Sequence, residues 1–186
     1  MQSSTDGIVL NDMTAHLDES VRLAAARLGE PNALEWLFQT YHRPVYALCY
    51  RLLSRVDDAE DATQAAFVGA FRSLSKFRGG SSVKTWLFRI AVNESLNLLR
   101  QRKRAAGPPA RESPAPDETP EIVRRAAIAS VLERMRPEQR ILLVLFYWED
   151  LSCEEIASVL NISLSAAKMR LKRARGEFQA QYGGEP

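Results

Sequence analysis

Basic side chains cluster in two short segments of this sequence, and clustered Arg and Lys are the side chains that bind nucleic-acid phosphates. One run is Arg100-Gln-Arg-Lys-Arg104, and the other is Lys168-Met-Arg-Leu-Lys-Arg-Ala-Arg175. The formal net charge of the whole chain is only +2, because acidic residues elsewhere offset these runs. Local charge decides phosphate binding, so both segments are candidate nucleic-acid contacts.

Side chains suited to catalysis or metal binding are scarce. The two histidines are His16 and His42, and the two cysteines, Cys49 and Cys153, lie far apart without further ligands at metal-binding spacing. No nucleophile elbow, phosphate loop or pair of metal ligands is present. We therefore expect no catalytic residue, no metal and no cofactor, and a hydrolytic enzyme is strongly disfavoured.

Apolar residues recur at helical spacing along nearly the whole chain, which predicts an all-α fold. Residues 105–120 hold five of the nine prolines and no large apolar residue, so we expect a flexible Pro-rich linker there. It would join two small helical domains, residues 18–104 and 121–182. Residues 1–17, with Asp6 and Asp12 but no Lys or Arg, are expected to form a flexible acidic tail.

The spacing predicts eight helices, and Pro44 is expected to kink or restart the second of them. Their predicted ranges are 18–28, 32–54, 57–76, 83–104, 121–135, 137–149, 153–160 and 164–179. No apolar run approaches the roughly 18 to 20 residues that a membrane span needs, and no secretion signal is present. We expect a cytoplasmic protein without membrane insertion.

Residues 152–175 carry the pattern of a helix-turn-helix. Ser152 and Glu155 fit a capping box at the start of a short helix, and Ser163 can cap the next. That second helix has one apolar stripe, which leaves an opposite face for DNA. The outer face carries Ser165, Lys168, Met169, Lys172 and Arg173. A surface helix whose charges merely face water is the alternative, and the capped first helix and short turn favour DNA binding.

The predicted helix after Gly79-Gly-Ser-Ser82 has a polar seam on an otherwise apolar surface. The seam consists of Trp86, Arg89, Asn93, Asn97, Arg100 and Arg104, which step by three or four. Arg and Asn could address phosphates and base edges while aromatic surface supports unpaired bases. A core Trp beside a solvated charge stripe fits the same spacing, and the residues alone leave both readings open.

Acidic residues crowd the start of the third predicted helix, at Asp57-Asp-Ala-Glu-Asp61. The helix macrodipole stabilises carboxylates there, which is sufficient reason for the charges. However, the helical pattern places Asp61, Gln64 and Val68 outward, and an outward valine among polar residues suggests a surface for a partner protein.

Taken together, these three segments resemble the extracytoplasmic-function (ECF) group of sigma factors in the sigma-70 family. Residues 58–71 resemble the region-two helix that grips the beta-prime coiled coil of RNA polymerase. Residues 85–93, with the basic run to Arg104, resemble the segment that opens and reads the −10 element. Residues 154–157 through 168–175 resemble region four, which reads the −35 element.

The resemblance implies an alternative sigma factor that binds core RNA polymerase, through its beta-prime and beta subunits, and promoter DNA. It also implies control by an anti-sigma factor, which would be able to hold the chain at the membrane. The polymerase-binding residues it implies are Asp58, Glu60, Asp61, Gln64 and Val68. Those implied for the −10 element are Ser81, Ser82, Lys84, Trp86, Arg89, Asn93, Asn97, Arg100 and Arg104. Those implied for the −35 element are Ser165, Lys168, Met169, Lys172 and Arg173.

The remaining alternative is a two-domain activator or repressor that binds duplex DNA through the C-terminal helix-turn-helix. Such a protein would sense a signal through its N-terminal domain and would usually dimerise. Co-purification with core polymerase separates this alternative from a sigma factor.

Overall fold

A computed structural model describes residues 19–105 and 120–183, and all regular structure within those residues is helical. The predicted all-α fold is therefore confirmed. The first helix, α1, covers residues 19–27. The others are α2 (Pro31–Leu53), α3 (Val56–Ser73), α4 (Val83–Ala105), α5 (Pro120–Arg134), α6 (Pro137–Tyr147), α7 (Cys153–Leu160) and α8 (Leu164–Tyr182), with a short 3₁₀ turn at Leu74–Lys76 after α3.

Helices α2, α3 and α4 form the core of the N-terminal half. The inward face of α3 is built from small residues such as Ala59 and Ala66, which are buried and allow its neighbours to approach closely. A Cβ added at Gly69 would lie 3.4 Å from the Ile90 side chain of α4. Larger side chains, among them Leu48 and Phe88, fill the space between the helices.

The C-terminal half packs α6 against α7 and α8. The N-terminus of α7 has the predicted capping box: the Glu155 amide donates to Ser152 Oγ at 3.1 Å, and the Ser152 amide donates to Glu155 Oε2 at 2.9 Å. Asn161 ends α7 in the left-handed conformation, with φ 52°. Ser163 then accepts from the Ala166 amide at 3.2 Å and caps α8.

The sequence predicted that Pro44 would kink or restart the second helix, and the structure shows that it does not restart it. Helix α2 is a single helix of 23 residues with Pro44 inside it. Proline removes the bond that its N–H would donate to the Thr40 carbonyl, and Thr40 is exposed, so water can replace that bond. The helix therefore tolerates a proline at position 44.

The two halves pack against each other in this structure. Helices α2 and α4 contact α6, and α4 contacts α7. Buried apolar residues from both halves join in one cluster. The predicted acidic tail at 1–17 and nearly all of the predicted linker lie outside the described residues. The division into two independently folding domains stays a prediction.

None of the helices in the described part of the chain combines the length and the apolar character that crossing a bilayer needs.

Candidate nucleic-acid interfaces

The outer face of α8 presents all five side chains that the sequence assigned to the −35 element. Ser165, Lys168, Met169, Lys172 and Arg173 are exposed, and Met169 is 53% accessible. The opposite stripe is closed against the core by the buried residues Ala167, Leu171 and Ala174. Since the stripe fixes how α8 is rotated, the basic face points away from the protein.

Helix α8 is also held to α6 by Arg175, which ends the second basic run that the sequence marked as a candidate nucleic-acid contact. Its guanidinium instead lies over two aromatic rings, 4.6 Å from the Phe146 centroid and 5.4 Å from that of Tyr147. Cation–π contacts of this kind are attractive and directional. In this structure, therefore, Arg175 positions the helix rather than extending its outer face.

The polar seam of α4 is exposed along its second half. Asn93, Asn97 and Arg100 are open to solvent, and Arg100 Nη1 lies 3.4 Å from Asn97 Oδ1. The side chain of Arg104 lies outside the described residues. These three exposed side chains are one part of the predicted −10 face that is open to DNA.

An aromatic and basic pocket lies at the first half of the same seam. The ring of Trp86 packs 4.9 Å from that of Phe77. The pocket encloses about 350 Å³. Its lining is formed by Ser73, Lys76, Phe77, Arg78, Gly80, Ser81, Trp86 and Arg89. The pocket thus combines aromatic surface and positive charge at one place.

Other side chains assigned to the −10 element are engaged within the protein. Ser82 caps α4 by accepting from the Thr85 amide at 3.1 Å. Lys84 and Arg89 contact the C-terminal half: Lys84 Nζ donates to the Glu149 carbonyl at 3.1 Å, and Arg89 Nη2 donates to Ser158 Oγ at 2.8 Å. Hence the structure does not present the predicted −10 residues as one open surface.

The residues assigned to polymerase binding on α3 also divide into exposed side chains and one that is engaged within the protein. Glu60, Asp61, Gln64 and Val68 are exposed and form what we call the α3 face. Asp58 is not part of it, because its side chain is only 15% accessible and forms an ion pair with Arg102 of α4. Arg55 Nε lies 3.8 Å from the same carboxylate oxygen. In the structure, therefore, Asp58 joins α3 to α4 through its ion pair with Arg102.

Two exposed aromatic residues were missed by the sequence reasoning. Phe71 is 37% accessible and follows Val68 by three residues, so helical stepping from Val68 would have found it. Phe38 of α2 is 41% accessible, with its ring 4.9 Å from that of Phe67. Its place beside α3 depends on tertiary packing, which no local pattern signals.

Within residues 19–105 and 120–183, no three His, Cys, Asp or Glu side chains are grouped so that they could hold a metal ion. Of the two free cysteines, Cys49 is buried, and burial raises the pKa of its thiol. A raised pKa keeps that thiol protonated and unreactive at neutral pH.

The Sigma-70 region 2 family model matches residues 37–105, and the Sigma-70 region 4 model matches residues 125–177. The ECF RNA polymerase sigma factor SigM of Mycobacterium tuberculosis is 34% identical over 163 residues, which cover 87% of this chain and 83% of SigM. In these matches α2 to α4 correspond to region 2, and α5 to α8 correspond to region 4.

Two solved structures have a similar fold. CnrH, solved in complex with the cytosolic domain of CnrY, has a TM-score of 0.70 and 25% identity, covering 89% of this chain and 97% of CnrH. The sigma factor RpoE of Bartonella quintana, solved with the anti-sigma factor NepR, has a TM-score of 0.66 and 23% identity. That match covers 82% of this chain and 98% of RpoE.

The fold and the paired region 2 and region 4 segments define a sigma-70 type transcription initiation factor. Within that class, the chain belongs to the ECF sigma factors. It is an alternative sigma factor, which binds core RNA polymerase and directs it to promoters.

Proposed function

We propose that this sigma factor divides its task among three surfaces: the outer face of α8 reads the −35 duplex, α4 captures melted −10 DNA, and the α3 face binds polymerase. The observation that carries the proposal is the exposure of all five predicted −35 side chains on one basic face, opposite a buried stripe. A chance arrangement would not be expected to place all five of these side chains on the exposed side and the apolar residues on the buried side.

The −35 surface lies on a single α-helix, which is the element that fits the major groove. The major groove of B-DNA is about 12 Å wide and admits an α-helix. Lys168, Lys172 and Arg173 can donate to phosphates or to guanine edges, whereas Met169 offers apolar surface to a thymine methyl group. Exposed and capped at its start by Ser163, α8 can enter the groove without rearranging its own half.

The −10 surface combines the pocket at Trp86 with the exposed end of α4. A melted strand presents unstacked bases, and stacking a base on an aromatic side chain contributes about 1–3 kcal/mol. Half-buried Trp86 offers such a surface, with the buried ring of Phe77 packed against it. Lys76 and Arg78 line the same pocket. Asn93, Asn97 and Arg100 would then follow the strand along α4.

The polymerase surface is the α3 face together with Phe71 and Phe38. Exposed carboxylates beside exposed apolar side chains would suit a partner helix that is basic and partly apolar. Val68, Phe71 and Phe38 would form the apolar centre that protein interfaces usually have, from which water is excluded. Asp61 and Gln64 would lie at the polar rim. The beta-prime coiled coil is the partner we assign, and the beta subunit would meet the C-terminal half.

We further assign this chain to the cytoplasm, with catalysis and metal supplied by polymerase rather than by the sigma factor. An anti-sigma factor would hold it inactive by covering the α3 face or the DNA surfaces, and a membrane-bound anti-sigma factor would hold it at the membrane. The support is that the similar sigma factor RpoE of Bartonella quintana was solved in complex with the anti-sigma factor NepR, and CnrH in complex with the cytosolic domain of CnrY.

Run-off transcription with purified core polymerase on a fragmented genomic library tests the proposal directly. The expected result is a set of start sites that share −35 and −10 sequences and that core polymerase alone does not use. If the chain bound duplex DNA by itself and left core polymerase inactive on every fragment, it would be acting as an activator or repressor, and the proposal would fail.

A further inference from the structure

Among the residues that the structure describes, four polar contacts join the two halves of the chain. Three of them link side chains of α2 and α4 to the turn after α6 and to α7, and the fourth links a side chain of α6 to a backbone carbonyl of α2. The pairs are Arg51 Nη1 to Glu149 Oε1 at 2.8 Å, Lys84 Nζ to the Glu149 carbonyl at 3.1 Å, Arg89 Nη2 to Ser158 Oγ at 2.8 Å, and Arg140 Nη1 to the Leu52 carbonyl at 2.6 Å. We call these four contacts the latch.

The latch is not a set of incidental surface contacts. The Glu149 side chain is 7% accessible, and Arg140 is also 7% accessible as a whole residue. Each of the four contacts has a charged donor, and such bonds are stronger than those between neutral groups. Their partners are separated by at least 65 residues in the chain, so only tertiary packing brings them together.

The latched arrangement is incompatible with reading a promoter. As their names state, the −35 and −10 elements lie about 25 base pairs apart, which is about 85 Å along a duplex. Here α4 of the −10 surface directly contacts α7, which precedes the −35 helix α8. The two surfaces cannot reach their elements at the same time until the halves separate.

We propose that the latch is an autoinhibitory contact, which holds the free sigma factor closed and withholds Lys84 and Arg89 from melted −10 DNA. This inference rests on the −10 site proposed above. Polymerase binding would favour the open form, because only that form can place region 2 and region 4 on distant parts of a promoter. The α3 face stays exposed in the closed form, so polymerase can dock before the latch opens.

The charges at Glu149 show how the latch can be opened by substitution. Burial disfavours its carboxylate, whereas Arg51 and Lys84 stabilise it. A buried ion pair contributes little net stability, but removal of one partner leaves an uncompensated buried charge. Loss of Arg51 should therefore open the halves, and a neutral Gln at position 149 should close them again.

The test compares the parent chain with Arg51→Ala/Ser158→Ala, the same double variant carrying Glu149→Gln, and Arg43→Ala as a control. Arg43 is an exposed arginine on α2 outside the latch. Small-angle X-ray scattering gives the radius of gyration, and circular dichroism checks that each variant is folded. Fluorescence anisotropy gives the affinities for a single-stranded −10 oligonucleotide and a −35 duplex, both taken from a promoter found by run-off transcription.

We expect the double variant to expand and to bind the −10 strand about tenfold more tightly, because closed molecules no longer withhold the site. Its affinity for the −35 duplex should not change, since the outer face of α8 is exposed in the closed form too. Glu149→Gln should reverse the expansion at least in part, whereas simple loss of packing would not be reversed. Arg43→Ala should match the parent.

The latch is refuted if the parent is already expanded, if the folded double variant is as compact as the parent, or if it expands without binding the −10 strand more tightly. Failure of the proposed −10 site is read separately, from run-off transcription by holoenzyme carrying Trp86→Ala. Unchanged transcription by that variant would overturn the −10 assignment even where scattering shows that the latch opens and closes as described.

Discussion

At the scale of single residues, Glu149 is a carboxylate whose burial and charge oppose each other. Burial raises its pKa above the ordinary value of 4.5, and nearby Asp150 raises it further. Arg51 and Lys84 lower the pKa but do not cancel the effect of burial. The closed form therefore binds a proton at Glu149 more readily than an open form would, where the carboxyl is in water.

This difference predicts how closure depends on pH. A group whose pKa is raised in the closed form favours closure fully below pH 4.5, and that contribution is lost as the pH rises through the raised pKa. Scattering across weakly acidic pH should show the radius of gyration increasing as the pH rises. Glu149→Gln should remove this component, and an equal pH dependence in that variant would assign it to other groups.

A second prediction at this scale concerns Arg173. Arg173→Ala should lower affinity for the −35 duplex by about 1–3 kcal/mol if the guanidinium contacts a base, with little change in the unfolding midpoint because the residue is exposed. Arg170→Ala is a matched control, since Arg170 is exposed on the same helix but outside the outer face. Anisotropy titrations on duplex DNA measure both, and equal losses would show that only overall charge matters.

At the scale of elements, the helix-turn-helix was the part most fully determined by local sequence. The sequence predicted α7 at residues 153–160, and the structure has those bounds. Ser152, Glu155 and Ser163 act within three residues of themselves, so their hydrogen bonds can be inferred without a tertiary structure. The stripe through Leu171 then sets which face of α8 is exposed.

The remainder depends on contacts between distant residues. Asp58 was assigned to polymerase binding through the resemblance to the region-two helix, and only the folded chain reveals its ion pair with Arg102. Arg89 and Ser158 are 69 residues apart, and neither has a local pattern that identifies the other as its partner. The −10 face could thus be predicted as a set of residues, but not as a surface partly covered by the other half.

Helix α3 offers a paired test of its proposed polymerase surface. Val68→Asp should weaken core polymerase binding, because it introduces a charge where we place an apolar contact. Val56→Asp is the control: Val56 is 43% accessible against 41% for Val68, and it lies on the same helix about 120° away. Co-purification with core polymerase measures both, and equal retention of the two variants would contradict the assignment.

At the scale of the whole molecule, the connection between the halves can be cut while their contact is kept. Residues 105–120 contain five prolines and no large apolar residue, which predicts early cleavage there in limited proteolysis. The two fragments should elute together from a sizing column, because the latch and the shared apolar cluster do not need the connection. Separate elution of folded fragments would show that the closed form depends on the tether.

The contact between the halves also determines how the chain behaves when it is concentrated. A short tether holds each half near the other at an effective concentration in the millimolar range. When the chains themselves approach that concentration, the N-terminal half of one molecule meets the C-terminal half of another as often as its own. The same interface then forms between molecules, which produces domain-swapped dimers with the surface of two closed monomers.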